Sequence, residues 1–211
     1  MWYRQNKLRT TNEDYPVSQV STNAKQALTE YHQGNQIVTL QSPVRTCPRV
    51  NWSPPPTENF KVNFDGTTSK EIRKAGLGVV IWNFVGQLIA SLYELVNLPY
   101  SSDIVEAMAT ARAIYVAQEI SLNSFILEGD SEAVIKCLRS DDDSFYPFSH
   151  ILAAAKATTE TNCCISFSHI LRLGNFVAHN LAKHARYVGG FSVWMEDVPP
   201  HLQAILLADN N

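Results

Sequence analysis

The chain has 211 residues, 45% of them hydrophobic, enough to close one sizeable core with an appendage. Charge is uneven: residues 1–57 carry six Lys/Arg against three Asp/Glu, a balance of +3, and the rest carries eleven against seventeen, a balance of −6. An acidic domain excludes duplex binding by massed Lys/Arg alone, so any work on nucleic acid would need metal ions to supply part of the positive charge.

Residues 1–57 read as a polar tail with one weak helical stretch over 22–32, ending in RVNWSPPPTEN, whose prolines favour an extended arm. A domain over 58–211 follows. Phe60 to Thr67, Gly76 to Trp82 and Gln87 to Glu94 read as three antiparallel strands, the last two joined by the turn NFVG. From Ser101 a Ser/Asp cluster precedes Ile104, Met108, Ala111 and Tyr115, the spacing of a buried helical stripe. Ser124 to Glu128 is a short apolar strand, followed by GDS and a helix from Ser131 to Arg139, an alternation that implies parallel pairing. Phe148 to Thr159 reads as a helix, Cys163 to His169 as a strand, Asn175 to Tyr187 as a helix, and the prolines of VPPHLQAILL start a short docking helix. The expected fold is α/β, a five-stranded mixed sheet with helices on its faces.

No apolar run has the length of a signal peptide core or reaches the roughly 18 residues of a membrane span, so the expectation is an intracellular protein, nuclear or cytoplasmic. The four cysteines, Cys47, Cys137, Cys163 and Cys164, form no CxxC pair and are expected as reduced thiols.

Asp65 stands mid-strand in KVNFDGT, where an unpaired carboxylate costs several kcal/mol to bury. Gly66 beside it would let a ligand or another backbone come close. The ordinary alternative is an edge-strand aspartate facing water. Glu106 precedes Ala109, Ala113 and Ala117, small residues that let a helix approach the sheet, although a lone helix glutamate is more often solvated. Asp130 lies between a strand and a helix, as a helix N-cap or at the strand end where α/β sheets bind ligands. The three can converge on one point, and clustered carboxylates tolerate each other when cations bind between them. Oxygen-only ligands select Mg²⁺ or Mn²⁺.

With Asp65 in FDG, Glu106 in VEAMA, Asp130 in EGDS and HILRLGNFVAHNLA from His169, the chain resembles the ribonuclease H-like superfamily, more narrowly the reverse-transcriptase-like ribonuclease H domains abundant in plants, often retroelement relatives. The resemblance covers roughly residues 58–208, together with the WSPPP lead-in and the closing WMEDVPPHL. It implies hydrolysis of the RNA strand of an RNA–DNA hybrid by a monomer using two metal ions about 4 Å apart. It also implies roles for single residues. Asp65 would bridge both ions and Glu106 and Asp130 would complete their shell. His169 would assist proton transfer or product release, and Asn175 would brace its loop or touch substrate. The backbone near Gly66 and Thr67 would meet the 2′-hydroxyls.

Two departures stand out. The family's fourth carboxylate falls in GN-x-x-A-D-x-L-A, and here GNFVAHNLA puts His179 in its place, either as a poor Mg²⁺ ligand that Mn²⁺ accepts or as a contact to substrate or solvent. Where some bacterial relatives carry a basic helix, this chain has the acidic SDDDSFYPF, residues 140–148. A binding module that has lost turnover, and an interaction domain without a nucleic-acid partner, are therefore the competing readings.

Overall fold

The structure is a computed structural model and describes residues 52–140, 146–159, 163–203 and 206. The helical stretch at 22–32, Cys47 and residues 141–145 of the acidic run lie outside them. Strands β1 (Phe60–Ser69), β2 (Lys74–Trp82), β3 (Leu88–Asn97), β4 (Ser124–Gly129), β5 (Cys164–His169) and β6 (Phe191–Met195) form one sheet in the order β5-β4-β1-β2-β3-β6. The pairs β1–β2, β2–β3 and β3–β6 are antiparallel, and β1–β4 and β4–β5 are parallel.

The sheet thus has six strands rather than the expected five. The sixth follows Gly189 and Gly190, whose φ of 66° and 71° turn the chain back beside β3. Trp194 is buried against Tyr93 at 5.2 Å between ring centroids, and this contact anchors the short edge strand.

Helix α1 (Ser102–Glu119) is capped by Ser101, whose hydroxyl accepts from Asp103 N. Its Ala109, Ala113 and Ala117 are fully buried, while Met108 and Tyr115 of the expected stripe are only half-buried. The helix is covered on two sides, by the sheet and by α3 (Ser149–Ala157), so one apolar stripe does not describe it. Helix α2 (Glu132–Arg139) follows β4.

On the opposite sheet face lies α4 (Phe176–Val188). It approaches so closely that a Cβ on Gly76 would stand 2.0 Å from the Ala182 carbonyl oxygen, and one on Gly78 2.2 Å from that of Ala178. Val177, Ala178 and Leu181 close a second core with Val80, Trp82, Leu88, Val198 and Leu202. Leu202 belongs to a 3-10 turn, Pro200–Leu202; Gln203 and Leu206 beyond it are helical, and Leu206 packs on the same core, where the short docking helix was expected.

The lead-in is part of this core. Trp52 packs on Trp82 at 4.8 Å and donates from Nε1 to Asn63 Oδ1 at 3.2 Å. Lys61 donates to the Ser53 carbonyl at 2.6 Å and pairs with Glu128 at 3.3 Å, both side chains less than a tenth exposed. Asn63 Nδ2 completes the network on Glu128 Oε1 at 3.1 Å. The lead-in is therefore a strap over buried polar groups, and the folded unit includes Trp52 to Pro56. Trp52→Ala is expected to cost about 2 kcal/mol, below the range for fully buried Trp because the ring is only half-buried. Chemical denaturation of the full chain measures it, and a loss under about 0.5 kcal/mol, the size of an ordinary surface substitution, would count against the strap.

Candidate metal centre

The β1–β4 ladder ends at the pair Asn63↔Glu128. Two residues further along each strand stand Asp65 and Asp130, side by side where the parallel strands stop pairing. This is the carboxyl end of the parallel pair, where the backbone diverges and leaves room for a ligand. β1 is a central strand and Asp65 is 0% exposed, so it is not an edge-strand aspartate facing water. Nor is Asp130 the helix cap: Ser131 caps α2 by accepting from Val134 N at 3.4 Å, which leaves the Asp130 carboxylate for other partners.

Glu106 reaches the same point through Gly66. A Cβ there would lie 2.8 Å from the Val105 carbonyl carbon, so only glycine lets α1 come this close to β1. The Gly66 backbone also faces the Glu106 carboxyl and favours its charged form. Asp65, Glu106 and Asp130 then present oxygens all within 4.8 Å of one another.

Partners are unevenly distributed among these oxygens. Asp65 Oδ2 accepts from His179 Nδ1 at 2.9 Å and from Thr67 Oγ1 at 3.2 Å. Asp130 Oδ2 accepts from Arg172 Nε at 3.1 Å. Asp65 Oδ1 and Glu106 Oε2 are buried and accept nothing. Burial pushes the Asp65 carboxyl above its ordinary range, opposed in part by the His179 hydrogen bond. Burial, then the charges of Asp65 and Asp130, pushes Glu106 well above its own. Two orphaned buried oxygens in an all-carboxylate set fit a hard divalent cation bound through oxygen, which would repay their desolvation.

The remaining expected site residues fall around this cluster. His169, at the end of β5, is exposed and its Nε2 lies 3.2 Å from the Asp130 carbonyl oxygen. Gly66 and Thr67 are half-buried beside Asp65. Asn175 is 1% exposed and donates to the Phe64 carbonyl at 2.7 Å. It braces β1 next to Asp65 and has no surface to offer substrate; nor does its side chain cap α4. His179, buried at 8% exposed, turns its Nδ1 onto Asp65 instead of facing solvent or substrate. Arg172, in the 3-10 turn Arg172–Asn175, is the residue that sequence reasoning missed, although it lies inside the quoted HILRLGN.

The raised carboxyls have a measurable sign. Folded Asp65 and Glu106 hold protons at pH values where the unfolded chain, titrating near 3.8 and 4.5, has released them. Stability of the metal-free protein therefore falls as pH rises through the window above those values. Glu106→Gln, which removes an unsatisfied buried charge, is expected to stabilise metal-free protein at neutral pH by on the order of 1 kcal/mol. The gain should vanish at acid pH, where the wild-type carboxyl is already neutral. Melting curves in chelator across pH measure both; a Glu106→Gln midpoint below wild type at neutral pH would contradict this.

Similarity to known proteins agrees with the geometry. The profile of a family described as reverse transcriptase-like matches residues 63–185. Comparison with curated proteins gives no match. Among solved structures, the RNase H1 of the halophilic archaeon Halobacterium salinarum is similar at 23% identity and a TM-score of 0.55, covering 61% of this chain and 98% of that one. The N-terminal RNase H domain of a Mycobacterium tuberculosis protein follows at 16% identity and TM-score 0.52, covering 60% and 92%. LC11-RNase H1, solved in complex with an RNA/DNA hybrid, has 20% identity and TM-score 0.52, covering 59% and 94%. With more than half of its length matched, and with the sheet order and carboxylate cluster described above, the chain belongs to the reverse-transcriptase-like family and has the ribonuclease H-like fold.

Proposed function

We propose that this chain is a divalent-metal-dependent endoribonuclease acting on the RNA strand of RNA–DNA hybrids. The observation that carries the reading is the meeting of Asp65, Glu106 and Asp130 within 4.8 Å, with two of their buried oxygens unpaired. These three residues would hold Mg²⁺ or Mn²⁺. Bound there, the cation would supply positive charge against the phosphodiester and favour ionisation of the attacking water. The three carboxylates would supply part of the shell of such an ion, and water would fill the rest.

The chain's own groups complete the site. The Asp130 carbonyl can only accept, so His169 donates from Nε2 and keeps Nδ1 as the atom that takes up or returns a proton. The ring is exposed, within reach of a solvent-borne proton. Thr67 Oγ1 is taken by Asp65, so recognition of 2′-hydroxyls at this stretch falls to its backbone groups. Asn175 keeps β1 in place from behind.

The competing reading, hybrid binding without turnover, draws on one observation: a histidine stands where the family has a fourth carboxylate and spends itself on Asp65. A labelled hybrid incubated with purified full chain in Mg²⁺ or Mn²⁺ separates the two. Fragments with a 5′ phosphate and a 3′ hydroxyl, absent with Asp65→Asn, support the enzyme. Retention of hybrid without cutting in either metal selects the binder.

A further inference from the structure

The two oxygens of Asp65 are not equivalent. Oδ2 receives two donors, His179 Nδ1 at 2.9 Å and Thr67 Oγ1 at 3.2 Å, while Oδ1 is buried with none. A carboxylate accepts only, so the His179 tautomer facing it carries its proton on Nδ1. That atom cannot then be a metal ligand. The ring comes from α4, which the Gly76 and Gly78 contacts clamp onto β2, so its position is fixed by backbone packing. Asn175, at the start of the same helix, holds the Phe64 carbonyl immediately before Asp65. Asp65 is thus gripped from α4 at its backbone neighbour and at one oxygen.

We propose that His179 is a positioning residue that claims Oδ2 of Asp65 and turns Oδ1 toward Glu106 and Asp130, so that the free chain takes one divalent cation rather than two. The inference rests on the reading of the three carboxylates as a cation site. A second ion would need Oδ2, which carries two hydrogen bonds, and a further anionic ligand at residue 179, where there is an imidazole. The one remaining shell is pre-aligned, since an outer partner that fixes ligand orientation strengthens the ion it does not touch.

Calorimetric titration of the full chain with MnCl₂ alone, without nucleic acid, tests this. Wild type should bind one Mn²⁺ per chain. His179→Asn, whose side-chain amide can still donate to Oδ2, should also bind one, with a Kd within about threefold of wild type, less than the roughly 10–100-fold that loss of an outer partner costs. His179→Ala should bind one with a Kd raised at least about tenfold, as expected when that partner is gone. His179→Asp should bind two. Two ions of similar affinity on wild type, or an unchanged Kd in His179→Ala, overturn the proposal and leave the cation site standing. No Mn²⁺ on wild type overturns both. The wild-type count and His179→Ala decide the matter even if His179→Asp does not fold.

Discussion

Asp65→Asn is expected to reduce cleavage of an RNA–DNA hybrid by more than 100-fold while leaving the metal-free protein at least as stable as wild type. The bound is set by comparison: losing a partner behind a metal ligand costs roughly 10–100-fold, and Asp65 would be the ligand itself. Stability goes the other way because Asp65 is 0% exposed with one oxygen unpaired, whereas the asparagine carbonyl can still accept from His179. Wild type should melt higher on addition of Mg²⁺, since a ligand bound only to the native state stabilises it. The variant should not respond. Parallel melting curves with chelator and with Mg²⁺, beside a cleavage assay, give both numbers. An Asp65→Asn protein that unfolds earlier in chelator but still cuts would mean that the aspartate is structural.

Gly78→Ala should be, with Gly76→Ala, among the most damaging small substitutions in the sheet, at more than about 3 kcal/mol, beyond the usual range for one extra methyl because the obstacle is backbone. Its Cβ would lie 2.2 Å from the Ala178 carbonyl oxygen and 2.5 Å from Ala182 N. Helix α4 would have to lift, taking His179 off Asp65. The expected fall in melting temperature is about 6–12 °C for a chain of this size. Gly190→Ala provides the contrast: nothing lies within 4 Å of its Cβ, and only the φ of 71° penalises it. That costs about 1 kcal/mol. Equal losses in the two variants would show that the contact between α4 and β2 is looser than the geometry requires.

How far the sequence discloses this arrangement depends on the residue. Asp65 is legible because a charge interrupts the apolar alternation of a strand, and nothing but a partner explains a buried one. Glu106 and Asp130 are weaker signals that become informative only together. Ser131 sits beside Asp130, and no spacing rule decides which of two adjacent capping residues does the capping. The hydrogen bond between His179 and Asp65 spans 114 positions and no local pattern reports it. Strand β6 escaped because its outward residues, Phe191, Val193 and Met195, are apolar and exposed, the reverse of the amphipathic rule. The strap looks like a free extended arm in the sequence because proline-rich segments resemble tethers unless the apolar partner, here Trp82, is known.

Arg172 and His179 bear on how the molecule comes into being. Each lends a donor to one carboxylate of the cluster, so two of the three negative groups have a companion before any ion arrives. Assembly of the polypeptide need not wait for a cation, unlike small domains that collapse only around zinc. A cation bound at this cluster would arrive late, at a finished surface, and compete with a guanidinium for Asp130.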